Sequence, residues 1–299
     1  MSTTSLTARP EPGTAPEASV RERRARRERR PLEPGLVIGG ALILLVALTA
    51  LVSLIWTPYD PTLAVASDRL QPPSPAHWMG TDRYGRDVLS QVMAGAQITM
   101  LVGTIAVAIG LVIGAPLGIL AGMRPKRAGV LVMGGSDVLM AFPGLLLAIV
   151  FGAIFGGGTV TAMIALGIGS APAFARVARA GTMQVMSMDY VFAAKAANRP
   201  EVAIAVRHVL PNIGGMLIVQ CSVNFAIAVL AEAGLSFLGL GTMPPTTSWG
   251  RMLLDSQQFL GASDYLIIFP GLAIAIAVLG FNLFGDGLRD RLDPKLRSR

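Results

Sequence analysis

The side chains that could carry chemistry in this 299-residue sequence are few and widely scattered. Three carboxylates, Asp137, Glu232 and Asp286, fall within or beside long apolar stretches. A carboxylate inside a membrane is a functional suspect, because its charge must be paired, hydrated or used to move ions. The pattern places all three towards the ends of their stretches, where water and backbone donors can reach them. A proton relay would need carboxylates nearer the centre, so the three stand as possible pathway or structural residues. His77 and His208 lie too far apart to form a metal-ligand pair, and His77 reads as a loop-packing residue. The single cysteine, Cys221, allows neither an internal disulfide nor a thiolate cluster. The sequence contains no Gly-x4-Gly-Lys-Ser/Thr phosphate loop, His-Glu-x-x-His pair or Gly-x-Ser-x-Gly turn. No catalytic residue, metal or bound cofactor is therefore expected in this chain.

The elements that carry these residues are set by composition. Hydrophobic residues make up 53% of the chain and charged residues only 14%, against about 25% charged in a soluble domain. The apolar residues form blocks of roughly 20, the length needed to cross a bilayer as helix. Six spans are expected, at about 35–56, 98–122, 129–156, 160–176, 213–235 and 265–285. The first is too long for a cleaved signal peptide and ends at Trp56-Thr57-Pro58-Tyr59, an aromatic pair suited to the headgroup layer. The fold class is thus an all-α polytopic membrane protein. It divides into a disordered basic tail (1–34), a first helix with a long outer loop (35–96), a five-helix core (97–288) and a C-terminal tail (289–299).

Charge distribution orients the spans. With the N-terminus inside, 21 of the 25 Lys and Arg residues fall on the cytoplasmic side. Arg69, Arg83, Arg86 and Arg251 are the four outside. This asymmetry places both termini in the cytoplasm. It also accounts for the net charge of +7 without nucleic acid. The basic run from Arg21 to Arg30 suits an anionic lipid leaflet, at roughly 1 kcal/mol per basic residue. Within the second span, Gly110, Gly114, Gly118 and Gly122 repeat every four residues and form one stripe for close helix packing.

The segment 176–212 is the most informative. It contains Asp189-Tyr190-Val191-Phe192-Ala193-Ala194-Lys195-Ala196-Ala197-Asn198-Arg199-Pro200, and later His208-Val209-Leu210-Pro211-Asn212. This resembles the cytoplasmic loop of bacterial ABC-importer permeases, where an Ala-Ala-basic-Ala helix precedes a glycine and then His-x-Leu-Pro-Asn. Phe192 stands where that motif has Glu, and Asn198 where it has Gly. Asn tolerates the left-handed conformation that such a turn needs, and Pro200 can open the next helix at its first turn. The outer segment Gly80-Thr81-Asp82-Arg83-Tyr84-Gly85-Arg86-Asp87 is similar to a motif of the second permease in dipeptide, oligopeptide and nickel importers, the DppC/OppC type. Glu232–Gly241 with Ser248-Trp249-Gly250, and Asn282–Asp290, extend that resemblance over most of residues 70–299.

The resemblance implies a type I ABC-importer permease fold in the cell membrane, with 189–200 as the segment that docks on an ATPase. It implies a homologous second permease, two ABC ATPase subunits or domains that hold ATP and Mg, and an extracytoplasmic solute-binding protein. Alternating access is the expected mechanism and di- or oligopeptides the leading cargo. Nickel, haem or another solute are alternatives, and a secondary carrier is a remoter one. Asp82, Arg83, Arg86 and Asp87 are expected to pair with one another or to face the binding protein.

Overall fold

The computed structural model describes residues 33–292. In lipid a backbone polar group has only other backbone groups to bond, so apolar runs of this length become helices. Among the described residues the long elements are all helical, and a single bridge pairs Thr81 with Asp87. In chain order the helices are α1 (Pro34–Ser53), α2 (Val88–Met123), α3 (Ala128–Ala141), α4 (Gly144–Phe155) and α5 (Thr159–Met186). They continue as α6 (Asp189–Ala196), α7 (Glu201–Ile204), α8 (Leu210–Phe237), α9 (Trp249–Ser256) and α10 (Tyr265–Leu292). A π-helical segment, Ala205–Val209, joins α7 to α8 into one rod of 37 residues.

Five helical rods are long and apolar enough to cross a bilayer: α1, α2, α5, α7–α8 and α10. The region of the remaining expected span, 129–156, is not one continuous helix. It is a broken pair, α3 and α4, bent by 82°. Proline has no N–H to give a helix and forces the preceding residue out of the helical region. Phe142, just before Pro143, is accordingly extended at φ −89°, ψ 128°. The fourth span also runs further than expected: α5 continues ten residues past Arg176, to Met186. Likewise α2 opens at Val88, inside the stretch assigned to the outer loop, and α10 reaches Leu292. The basic tail 1–32 and residues 293–299 lie outside the described residues.

The seam between α2 and α5 explains the glycine stripe. A Cβ on Gly114 or Gly118 would overlap the carbonyl oxygens of Ala171 and Ala175. One on Gly122 would lie 2.6 Å from the Thr182 Cβ, and one on Gly110 would strike the Ser170 hydroxyl. Four turns of α2 thus lie directly on α5, with Phe174 fully buried beside them. Lipid gives helices no hydrophobic drive to associate, so this close approach supplies the attraction. At the other side, Gly39 of α1 lies on the backbone of α10 near Phe284, and Phe225 of α8 stacks on Phe281 of α10 at 3.8 Å.

Candidate functional site

Two ends of this bundle carry the residues singled out by the sequence. At one end, α6 leaves α5 through a two-residue turn and stands away from the bundle. Val191 is its only buried residue. Beneath it lie Val209, fully buried, and Ile204 and Val185, nearly so. Asp189, Tyr190, Phe192, Ala193, Lys195 and Ala196 are exposed and Ala194 is half-buried. Asp189 in the first turn and Lys195 in the last complement the helix dipole. The Lys195 ammonium also lies 5.6 Å from the Phe192 ring centre.

The turn after α6 follows a local code. Asn198 has φ 53°, the left-handed conformation anticipated from its place in the glycine position. Its N–H donates to the Lys195 carbonyl at 2.9 Å, and the Arg199 N–H donates to Ala194 at 3.2 Å. These paired bonds close the helix end as a Schellman motif. Pro200 sits one residue earlier than anticipated: it caps α7 in an extended conformation, rather than filling its first turn. Arg199 and Pro200 are both exposed. Glu201 then pairs with Arg124 at 2.7 Å, which ties α7 to the α2–α3 loop.

At the other end, residues 68–91 fold into a braced turn. Gly80 and Gly85 take φ near +77°, a conformation open to glycine without strain. Thr81 is fully buried, and the Tyr265 hydroxyl donates to the Gln71 and Thr81 carbonyls at 3.0 Å each. Asp82 accepts from the backbone of Tyr84 and Arg86, and pairs with the Arg86 guanidinium at 2.7 Å. Asp87 caps α2 through Ser90 and accepts from or shares a proton with His77 Nδ1 at 2.9 Å. His77 is thereby a packing residue of the loop. Arg83 leaves this local set and pairs with Asp255 of α9 at 3.0 Å.

The three carboxylates have three fates. Glu232, expected where water could reach it, is 1% exposed. It accepts hydroxyl bonds from Ser236 at 2.7 Å and Thr242 at 3.2 Å, which hold the loop after α8 against the helix. The reason is that Ser236, one turn along α8, and Thr242, in the returning loop, supply hydroxyls in place of water. Asp286 is exposed within the last two turns of α10. Asp137, on α3, is exposed and pairs with Arg176 of α5 at 2.6 Å. Nothing in the local sequence linked those two residues.

Between α2, α4, α5 and α8 lies a cavity of about 460 Å³. Its wall is mostly apolar and includes Leu145, Gly169, Ala173 and Ile227. Asn224 is the buried amide on that wall, donating to the Gln220 carbonyl at 2.9 Å. A cavity of this size lies in the usual range for small ligands, about 300–1,000 Å³.

Residues 114–298 match the model of a protein family described as binding-protein-dependent transport system inner membrane component. The chain belongs to this family. It is therefore a multi-pass inner-membrane permease subunit of an ABC importer, and membership implies ATPase and substrate-binding partners. It is 41% identical over 271 residues to the di/tripeptide transport system permease protein DppC of Pseudomonas aeruginosa, covering 87% of this chain and 88% of that one. It is also 41% identical over 263 residues to the glutathione transport system permease protein GsiD of Pectobacterium atrosepticum, covering 88% and 87%. Among solved structures, it is similar to inward-facing forms of the MetNI methionine ABC transporter, with a TM-score of 0.57 at 17% identity. That match covers 68% of this chain and 96% of the other, and it carries the type I importer permease fold.

Proposed function

We propose that this permease moves di- and oligopeptides into the cell by alternating access, driven by ATPases that dock on α6. The cargo is supported by the relatives, whose names specify dipeptides, tripeptides and the tripeptide glutathione. The mechanism rests on one observation: α6 is a C-capped helix held by buried Val191 and half-buried Ala194, with Phe192, Ala193 and Ala196 exposed. Small Ala side chains let a partner's groove close around such a helix. Movement of α6 passes directly into α5 and the α7–α8 rod, which also wall the central cavity.

The assembly we infer contains a homologous second permease, two ABC ATPase subunits or domains and an extracytoplasmic solute-binding protein. ATP and Mg belong to the ATPases, and this chain binds no cofactor of its own. Both termini face the cytoplasm, in keeping with the distribution of 21 against 4 basic residues. The arginine-rich run 21–30 lies outside the described residues, and its composition suits an anionic leaflet. The braced outer turn, with Trp78 and Tyr84 exposed, offers the landing surface for the binding protein.

Purification from native membranes in mild detergent should recover a second permease and ATPase chains, identified by mass spectrometry. In the reconstituted importer, Ala193→Asp should abolish peptide uptake at least tenfold while the ATPases still turn over. A chain that purifies alone and moves solute down an ion gradient would overturn the reading. Uptake at the wild-type rate in Ala193→Asp would remove α6 from the mechanism.

A further inference from the structure

The Asp137–Arg176 pair is out of keeping with its surroundings. It is an ion pair at 2.6 Å between two helices, yet Asp137 is 64% and Arg176 46% exposed. Its neighbours on α3 and just beyond, Val138, Met140 and Phe142, are exposed apolar residues. Measured along the helices, each charge lies ten residues, about 15 Å, from a cytoplasmic end: Arg127 before α3 and Met186 closing α5. A lysine or arginine can stretch its charge out of lipid, but the short Asp137 side chain cannot. One turn further along, the chain breaks at Phe142–Pro143, and this break is exposed too. Non-helical backbone at membrane depth is stable only inside protein or along a water-filled cavity. Two independent features thus disfavour lipid contact on the same face.

The face adjoins the cavity along α5, one helical turn from its wall. Gly169, Ala173 and Arg176 follow one another on one stripe of α5 at helical spacing, and the first two line the cavity wall. Gly144, the first residue of α4 after the break, lines it as well. The cavity is therefore mostly apolar, and its α5 wall runs on to Arg176, whose partner Asp137 stands on α3.

We propose that Asp137 and Arg176 form a substrate subsite of the translocation path, receiving the two charged termini of a short peptide as it passes. This rests on the peptide reading above. Arg176 presents a planar fork to the terminal carboxylate, and Asp137 accepts from the terminal ammonium. The mutual ion pair closes the subsite when it is empty, and a zwitterion can replace it without leaving either charge unpaired. Peptides vary in their side chains and share their termini. An apolar chamber beside one acid–base pair suits that chemistry: the pair holds what is common, and the chamber tolerates what differs.

The test uses the complete importer in liposomes, with dipeptide uptake and ATP hydrolysis measured in parallel. Asp137→Asn and Arg176→Gln should each cut uptake about tenfold while hydrolysis stimulated by the loaded binding protein stays within about twofold. Arg176→Lys keeps the ion pair, and so the packing, but loses the fork; uptake should fall at least threefold with hydrolysis unchanged. The reversed double variant, Asp137→Arg with Arg176→Asp, rebuilds the pair in the wrong order and should not recover uptake. Full recovery in that variant would make the pair an interhelical clamp and overturn the proposal. Wild-type uptake in Arg176→Lys, or a parallel loss of uptake and hydrolysis in the single variants, would overturn it too. A wild-type importer that moves another solute and no peptide would instead refute the peptide reading, before any variant is made.

Discussion

The braced turn at 68–91 (the outer turn) and helix α6 are built on opposite plans. In the outer turn the polar side chains Thr81, Asp82, Arg86 and Asp87 all find partners within the chain, and Arg83 reaches across to Asp255. In α6 one valine is buried and every other side chain is fully or partly open. The outer turn is a finished plug that fixes where α2, α9 and α10 meet. Helix α6 is an open surface, and in the function proposed above its partner is an ATPase subunit. Residue motifs of similar length thus take opposite forms, one closed on itself and one left open.

Substitutions should separate the two ends on a stability scale. The largest loss is expected from Asp87→Ala, which uncaps α2 and leaves buried His77 and Ser90 without their acceptor. We expect about 2–4 kcal/mol, read as a lower melting temperature of the detergent-solubilised importer. An unchanged melt would mean that the outer turn is not the brace described. Asn198→Ala should cost less, about 1 kcal/mol, because alanine resists the left-handed conformation. Asn198→Gly should be neutral or slightly stabilising, and a melt as low as that of the alanine variant would contradict the capping account. Phe192→Ala should change stability by less than about 0.5 kcal/mol while uptake falls severalfold. If Phe192→Ala lowers the melt as much as Asp87→Ala, the contrast between the two ends fails.

The sequence made visible whatever is governed by local rules. The apolar blocks marked the five long rods and the broken pair α3–α4, because lipid leaves the backbone no alternative to helix. The four-residue glycine repeat foretold a close helix seam on α2, though not that α5 fills it, and Asn198 foretold its own left-handed turn. Features that depend on distant residues stayed hidden. Arg83 and Asp255 are 172 positions apart, and Asp137 and Arg176 are 39 apart. The hydroxyls around Glu232 come together only once the loop after α8 folds back. The break in the third crossing was signalled by Pro143-Gly144, but hydropathy runs unbroken through it. Arg176 resembled the end of a span by its charge, whereas α5 continues ten residues beyond it.

The most direct test of α6 as the ATPase-docking element is site-directed cross-linking in native membranes. With Cys221→Ser as background, Ala193→Cys and Tyr84→Cys would be compared using a short thiol–amine cross-linker. The account predicts that Ala193→Cys is trapped on an ATPase chain, with a yield that changes on adding ATP. Tyr84→Cys, on the opposite face, should give no ATPase adduct. An ATPase adduct from Tyr84→Cys, or none from Ala193→Cys in an importer that still transports, would contradict it.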